Sequence, residues 1–391
     1  MTPAARKALP SAGGELVGLV ADLASVRSFS GQEHAVQDRI EQWFAKQGIP
    51  SRRIAAADGL TNVVVEIEGA VEGPVLWIGG HCDTVGVSDG WSSAPFEPTI
   101  RDNRLHARGA MDMKGGLAAA MVAARDMFRR RHEWSGRLIF ASLADEEAYS
   151  RGAEAYVAQC GPIDGAIMCE PHFDDVVIGA LGKANLVVEV HGRAAHASHP
   201  AEGVNAVVEA GRLLAKIGDL ERKADPVFGV PGHAVIGIEC GSGAYSISVP
   251  EYCRFTVNWH FPAEETADGG VKLLRDMARS IGSPATFEIG IRPPSYDGYL
   301  LERTDPFITA FAESYRRVLG RPADLRIGRG VSDANIFAGK AGIPTLLFGP
   351  SGGNMHGVDE WLDLSQLEPA RAVYLDFALR FLSRNTLQEF E

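Results

Sequence analysis

Short apolar runs alternate with segments of helical periodicity over much of this 391-residue sequence, and this alternation constrains the fold most strongly. Four runs have the length and composition of buried strands: residues 62–68, 75–79, 137–143 and 164–169. Amphipathic segments at 115–130 and 153–159 lie among them. Because parallel strands need crossover connections that are usually helices, the pattern predicts an α/β fold with a doubly wound, mostly parallel sheet.

The pattern changes near Leu181 and changes back around Pro293 and Pro294. In between, strands are predicted at 186–191, 234–239, 254–260 and 285–291, and helices at 204–221 and 269–281. This β-α-β-β-α-β order is that of a ferredoxin-like α+β domain. A chain of 391 residues also exceeds the usual size of a single core. We therefore predict a larger α/β domain of residues 1–181 and 294–391, with a smaller domain of residues 182–293 inserted into it.

The charge and hydropathy of the chain exclude some classes of partner. Its formal net charge is −12, from 50 acidic and 38 basic residues, and no basic block stands out. We therefore expect no nucleic-acid partner and no anionic membrane surface. No apolar run is long enough to span a bilayer.

The N-terminal region and the cysteines indicate a cytoplasmic protein. Residues 16–23 are interrupted by Asp22 and lack a small-residue cleavage site, so they predict the start of a helix and not a signal peptide. Helical spacing continues from residue 15 to residue 47, with Ser30 as a candidate cap. The five cysteines are an odd number without C-x-x-C spacing, which argues against a disulfide framework and fits a reducing cytosol.

Acidic residues and histidines follow the predicted strands of the larger domain. His81 and Asp83 come after the second strand, Glu146 and Glu147 after the third, and Glu170 after the fourth. Two more groups of the same kind are Asp112, at a predicted helix start, and His356, in a glycine-rich loop. Because ligands bind at the carboxyl ends of parallel strands, we expect these groups to converge at one edge of the sheet.

Two histidines and three carboxylates are sufficient to hold a pair of zinc ions if one carboxylate bridges them. Two metals about 3.5–4 Å apart activate a water between them. One carboxylate must then stay off the metals to take the proton of that water. Adjacent Glu146 and Glu147 suit this division of labour, and their order alone leaves open which is the ligand.

Each of these residues has an ordinary explanation when it is considered alone. Glu146 and Glu147 are typical of a solvated helix start, and Asp112 is typical of an N-cap. His356 fits a surface loop and Glu170, before Pro171, fits a plain turn. Their shared placement after successive strands favours the metal site over these explanations.

In this order, the motifs resemble the metal-dependent aminoacylase/carboxypeptidase family often called M20, which includes acetylornithine deacetylase, succinyl-diaminopimelate desuccinylase and glutamate carboxypeptidase. The match extends over essentially the whole chain. The resemblance implies a dinuclear zinc amidohydrolase or metallopeptidase, sometimes with cobalt in place of zinc. It also implies a catalytic domain that carries a ferredoxin-like lid, and a lid that usually forms the interface of a homodimer.

The resemblance also implies a role for each motif residue. His81 and Glu170 match the ligands of one metal, Glu147 and His356 match those of the other, and Asp112 matches the bridging carboxylate. Two further residues match groups off the metals: Glu146 matches the general base, and Asp83 matches the acid behind His81.

In the lid, the stretch G-R-A-A-H-A-S matches the family's G-x-x-x-H motif. The resemblance implies that His196 hydrogen-bonds the developing oxyanion in the active site of the partner subunit. Without the resemblance, an ordinary polar histidine between a strand and a loop would be the preferred explanation of His196.

The sequence departs from the family pattern at one position of the lid. Where relatives often carry D-x-R or N-x-R, with an arginine that binds a substrate carboxylate, this chain has Asn258-Trp259-His260. A histidine cannot form the two-pronged contact of an arginine. The departure leaves the substrate class open. Arg254 and Arg329 are candidates to bind a substrate carboxylate in place of the missing arginine.

The predicted activity is hydrolysis of the amide bond of a small N-acyl amino acid or related substrate. A dipeptidase or carboxypeptidase-type exopeptidase is the alternative within the same family. A metal-free binding protein on the same fold is the alternative from another class. The retention of all five ligands argues against it.

Overall fold

The computed structural model describes residues 14–241 and 247–383 of the protein. These residues form two compact units. The first contains the described residues up to Ile178, together with Leu301–Arg326 and the chain from Ser332 onward, and the second contains Gly179–Leu300 and Ile327–Val331. Within the described ranges, no helix is long and apolar enough to cross a membrane.

The first unit contains six helices among its described residues. They are α1 (Gly14–Ala24), α2 (His34–Lys46), α3 (Gly115–Arg129), α4 (Arg151–Val157), α7 (Pro306–Leu319) and α8 (Leu367–Leu382). Helix α3 contacts strand β3 (Val75–His81) and the helices α1 and α8, so almost all of its residues are buried. Gly116 permits this close approach, because a Cβ atom there would lie 1.9 Å from the carbonyl oxygen of Cys169.

The large sheet has nine strands, and its centre is parallel. Its strands are β1 (Arg52–Ala55), β2 (Thr61–Glu68), β3, β6 (Arg137–Leu143), β7 (Gly165–Met168), β8 (Asp175–Ala180), β13 (Tyr299–Leu300), β14 (Asp324–Gly328) and β15 (Thr345–Leu347). The strand order is β1-β2-β6-β3-β7-β15-β8-β13, with β14 beside β8. The neighbours β6, β3, β7 and β15 run parallel, whereas β2 and β8 pair antiparallel with this centre. The predicted α/β class is confirmed, with antiparallel strands added at both flanks.

A second, smaller sheet of the first unit joins segments that are far apart in sequence. Its strands are β4 (Thr99–Arg101), β5 (Arg104–His106), β16 (Gly352–Gly353) and β17 (Trp361–Asp363). They lie in the order β16-β17-β5-β4. The sheet therefore brings the segment before Asp112 beside the loop that carries His356.

The N-terminal helical segment differs from the prediction. The chain forms two helices here: α1 ends at Ala24 and α2 begins at His34. Ser30 caps neither helix. Instead, the Ser30 hydroxyl donates a hydrogen bond to Asp83 Oδ2 at 2.7 Å. Apolar residues keep their helical spacing between the two helices, so periodicity did not indicate that the helix is interrupted there.

The second unit has the predicted ferredoxin-like arrangement. Its elements are β9 (Gly182–His191), α5 (Ala206–Gly218), β10 (His233–Cys240), β11 (Tyr252–Phe261), α6 (Ala267–Ser280) and β12 (Thr286–Tyr296). The sheet order is β10-β11-β9-β12, and all its pairs are antiparallel. Both helices cover one face of this sheet, where they share a core with alternate residues of the strands.

One cysteine pair departs from the sequence-based expectation. Cys240 on β10 and Cys253 on β11 are direct cross-strand partners and form a disulfide bond. Cys82, Cys160 and Cys169 are free. The odd cysteine count did not reveal this pair, because strand register and not sequence spacing brings the two residues together.

Candidate metal centre

The parallel strands place four of the predicted residues at one edge of the large sheet. His81 is the last residue of β3, Glu146 and Glu147 follow β6, and Glu170 follows β7. Because β6, β3 and β7 are parallel neighbours, their carboxyl ends meet at the same edge. Asp112 lies in the irregular turn of residues 110–114 that precedes α3, instead of capping the helix as a simple N-cap would.

Asp112 stands between the two histidines. Its Oδ1 lies 3.2 Å from His81 Nε2, and its Oδ2 lies 2.9 Å from His356 Nε2. One carboxylate thus presents a separate oxygen to each imidazole, which is the arrangement that a bridging ligand needs. Among the described residues, His81, Asp112 and Glu147 offer ligand atoms that all lie within 4.8 Å of one another.

The three glutamates differ in the histidine that they face. Glu147 Oε1 lies 3.0 Å from His356 Nε2. Glu170 Oε1 lies 3.9 Å from His81 Nε2, and Glu146 Oε2 lies 4.0 Å from the same atom. The structure therefore brings together all five predicted ligands and the predicted base, with Glu147 on the His356 side and Glu170 on the His81 side.

Asp83 connects the ligand His81 to the turn that carries the glutamates. It is fully buried, and its carboxylate accepts hydrogen bonds from the backbone N–H groups of Glu146 and Glu147, each at 3.1 Å. His81 Nδ1 lies 3.1 Å from the backbone carbonyl oxygen of Asp83 and 3.4 Å from its Oδ1. With Nδ1 engaged in this way, His81 directs Nε2 toward Asp112. A hydrogen-bond acceptor on the ring nitrogen that does not face the metal is typical of metal-binding histidines.

Burial and mutual charge perturb the pKa values of this cluster. Burial raises the pKa of Glu170 to about 8 and the pKa of Glu146 well above its usual value. Burial alone would lower the pKa of His81, but its hydrogen bonds with Asp112 and Asp83 raise it well above normal. The contacts with Asp112 and Glu147 raise the pKa of His356 to about 10. Without a metal, the carboxylates therefore hold protons on the imidazoles.

The donor set fits a pair of divalent cations. Five carboxylates surround two imidazoles, so the site has an excess of negative charge that cations would neutralise. Imidazole nitrogen and carboxylate oxygen are the ligands that zinc takes at catalytic sites. The side chain of His356 is 48% exposed and that of His81 is 1% exposed, so solvent reaches the cluster from the His356 side.

The sequence-based reasoning missed a further buried acid near the cluster. Asp333 is 1% exposed, and neither carboxylate oxygen has a hydrogen-bond partner of good geometry among the described residues. Burial raises its pKa to about 7, and its charge in turn helps to raise the pKa values of Glu146 and Glu170. Asp333 follows no predicted strand directly, and for this reason strand-end placement did not indicate it.

His196 belongs to the second unit, where its side chain is exposed. Its Nδ1 lies 2.6 Å from the Ser198 hydroxyl, and its ring is close to that of His199. Because His196 and the metal cluster belong to different units, its role at an active site stays a prediction.

His260 lies opposite Lys183 in the sheet of the second unit. Burial lowers its pKa, and the positive charges of Lys183 and Arg222 lower it further. Its Nδ1 has no hydrogen-bond partner among the described residues. Arg254, a candidate replacement for the missing arginine, forms an ion pair with Glu239 at 2.7 Å.

Comparison with known proteins agrees with this geometry. The model of peptidase family M20/M25/M40 matches residues 77–380. A succinyl-diaminopimelate desuccinylase of Methylorubrum extorquens is 29% identical over 323 residues, which are 77% of this chain and 81% of that protein. A tripeptidase from Staphylococcus aureus shares the fold with a TM-score of 0.78 at 21% identity, covering 94% of this chain and 98% of that one. A dinuclear metal-binding M20 peptidase from Bacillus subtilis has a TM-score of 0.72 at 18% identity, covering 94% and 97%.

These findings confirm the predicted class of enzyme, a metal-dependent hydrolase of amide bonds. The family match extends over the strands that carry the cluster and over the inserted unit. The chain belongs to peptidase family M20/M25/M40.

Proposed function

We propose that the protein uses two zinc ions to hydrolyse the amide bond of a small N-acyl amino acid or related substrate, with cobalt as a possible substitute for zinc. The observation that carries the proposal is the placement of Asp112, which offers one oxygen to each of two histidines. In this proposal, Asp112 would be a ligand of both metals. His81 and Glu170 would hold one metal, and Glu147 and His356 would hold the other.

The residues of this chain have separate tasks in the proposed reaction. Two bound zinc ions would polarise the scissile carbonyl group and lower the pKa of the attacking water. Glu146 lies 4.0 Å from His81, whereas Glu147 lies 3.0 Å from His356. Glu146 accepts the proton of that water and returns it to the leaving amine. Asp83 fixes the ring orientation of His81.

The second unit supplies the rest of the proposed active site. We assign residues 1–181 and 294–391 to the catalytic domain, and residues 182–293 to a lid that forms a homodimer. His196 of one lid would hydrogen-bond the oxyanion in the active site of the partner subunit. Its exposure supports this role, because a residue that acts in another subunit must be accessible. We further propose a cytoplasmic location.

Succinyl-diaminopimelate desuccinylases at 26–29% identity support the deacylase activity. The structural neighbours favour the alternative, an exopeptidase, because they include a tripeptidase, an aminopeptidase and a carboxypeptidase. An exopeptidase needs a group that binds a free terminal amine or carboxylate, whereas a deacylase needs a pocket for an acyl group.

A substrate panel on the zinc-loaded and the cobalt-loaded enzyme tests the proposal and separates the two activities. The panel contains N-acetyl, N-succinyl and N-carbamoyl amino acids together with dipeptides. We expect turnover of one N-acyl class, and preferential turnover of dipeptides would replace the deacylase with the exopeptidase. If the purified protein contained no metal, and if added zinc or cobalt produced no hydrolysis, the protein would be a binding protein on the same fold.

A further inference from the structure

We propose that Arg108 and Glu360 form a buried clamp that joins the turn of Asp112 to the loop of His356, and that this clamp sets the affinity for the metal at Glu147 and His356. The inference rests on the proposed function, because it concerns the same pair of metals. The two residues are positioning residues, since neither is among the predicted ligands. The side chains of both are 1% exposed.

Glu360 binds the backbone of the turn that carries Asp112. Its Oε1 accepts hydrogen bonds from the N–H groups of Met111 at 3.0 Å and Asp112 at 3.2 Å. Its Oε2 accepts a hydrogen bond from the N–H group of Gly109 at 3.1 Å. One carboxylate therefore accepts from three backbone donors of an irregular turn whose geometry orients Asp112.

Arg108 extends the same network into the loop of His356. Its Nη1 donates to Glu360 Oε2 at 2.6 Å. Its Nη2 donates to the carbonyl oxygens of His356 at 3.2 Å and Gly357 at 3.0 Å. A guanidinium group is suited to this task, because its planar fork reaches two sets of acceptors at once.

The loop of His356 needs such support, because its backbone is unfavourable by itself. His356, Asn354 and Asp359 all have positive φ angles, at 58°, 59° and 55°. Residues other than glycine persist in this region only where their surroundings hold them. The two carbonyl contacts of Arg108 fall on His356 and on the residue after it. The clamp therefore acts at one of the positive-φ residues of the loop, the one that carries the predicted ligand.

The two metal sites should depend on the clamp to different extents. His81 and Glu170 extend from adjoining parallel strands and are held by the sheet itself. His356 lies in the loop between β16 and β17, and Arg108 donates to the carbonyl oxygens of His356 and Gly357 in this loop. Loss of the clamp should therefore weaken the metal at Glu147 and His356 first and leave the metal at His81 and Glu170 in place.

Zinc titration of the full-length protein in competition with a chelator tests this inference. Glu360→Gln keeps the shape of the side chain and removes the charge that faces Arg108, and Arg108→Lys keeps the charge and removes the fork. We expect each variant to bind the second equivalent of zinc about 10–100-fold more weakly, the usual effect of losing an outer-shell partner. The first equivalent should lose much less affinity, because His81 and Glu170 are held by the sheet and only the shared ligand Asp112 depends on the clamp.

Asp126→Asn is the matched control. Asp126 pairs with Arg371 at 2.9 Å and Arg125 at 2.8 Å in the same unit, without a hydrogen bond to either ligand loop. Its loss should lower the melting temperature and leave both zinc affinities unchanged. A lower melting temperature alone is thus the signature of a structural role, and selective loss of the second zinc is the signature of the clamp.

Three outcomes would overturn the inference. The first is that both clamp variants keep wild-type affinity for two zinc ions, and the second is that they lose both equivalents to the same extent. If both variants failed to fold while Asp126→Asn folded, the pair would be assigned to folding alone. If only Glu360→Gln fails to fold, the two zinc affinities of Arg108→Lys decide whether the inference holds. A wild-type protein that binds no pair of zinc ions would instead refute the proposed function.

Discussion

Replacement of Asp83 by asparagine should damage the metal centre without touching a predicted ligand. The carboxylate of Asp83 accepts hydrogen bonds from the Ser30 hydroxyl at 2.7 Å and from the N–H groups of Glu146 and Glu147 at 3.1 Å, and it faces His81. An asparagine keeps one acceptor oxygen and places an NH₂ group where the other oxygen was. At least one buried donor then loses its acceptor.

The expected cost follows from the number of these contacts. A hydrogen bond to a charged group contributes about 1.5–3 kcal/mol, and an unsatisfied buried donor costs about 1–3 kcal/mol. Removal of one partner of a buried charged pair typically costs about 3–5 kcal/mol. We therefore expect Asp83→Asn to lower the free energy of unfolding of the metal-free protein by ~3–5 kcal/mol. We also expect it to weaken zinc binding by about 10–100-fold, because His81 loses the negative charge beside Nδ1 and the turn of Glu146 and Glu147 loses an acceptor.

Urea denaturation of the metal-free protein and zinc titration measure the two effects. The control is Asp38→Asn, which removes a pair between Arg53 and a side chain that is 56% exposed. Surface pairs of this kind contribute at most about 1 kcal/mol. If Asp83→Asn were no more costly than Asp38→Asn, and if it bound zinc as the wild type does, the orienting role of Asp83 would be wrong.

The same residue predicts a dependence of stability on pH. Burial by itself raises the pKa of Asp83, but the contacts with His81 and Ser30 outweigh it, and the net pKa is lowered. A lowered pKa in the folded state means that the contribution is complete above the unfolded pKa of about 3.9 and is lost as the pH falls through the folded value. The stability difference between the wild type and Asp83→Asn should therefore narrow in acid solution.

Further predictions concern the base, the lid histidine and one glycine. Glu146→Ala should retain both zinc ions in elemental analysis and lose about 10²–10⁴-fold in turnover, and near-normal turnover would remove Glu146 from the mechanism. His196→Ala should lose about 10²–10³-fold in turnover, and mixing it with Glu146→Ala should restore activity. No rescue after verified subunit exchange would count against a shared active site. Gly116→Ala should destabilise the fold by about 1–3 kcal/mol, because its Cβ meets the Cys169 carbonyl oxygen. Gly18→Ala, which meets nothing within 4 Å in α1, should instead stabilise it by about 0.5–1 kcal/mol in thermal unfolding.

Periodicity predicted the elements whose burial follows a regular pattern. Strand β6 (Arg137–Leu143) has the predicted bounds, because it has an uninterrupted apolar pattern and clear flanking residues. Strand β8 (Asp175–Ala180) was missed. It is short, and only Leu181 separates it from β9.

The convergence of the candidate site followed from strand topology. Residues such as His81 and Glu170 lie 89 positions apart in the chain, yet parallel neighbours bring their ends together. Arg108 and Glu360 could not be predicted in this way. They meet through the small sheet that joins β5 to β17, and no spacing in the sequence indicates a pair that is separated by 252 residues.

The central claim is that residues from distant parts of the chain hold two metal ions. A crystal structure of the zinc-loaded protein, with anomalous data collected at the zinc edge, tests it most directly. We expect two zinc peaks about 3.5–4 Å apart, with the carboxylate of Asp112 between them and His81 and His356 on opposite sides. A single peak, or zinc bound away from Asp112, would contradict it.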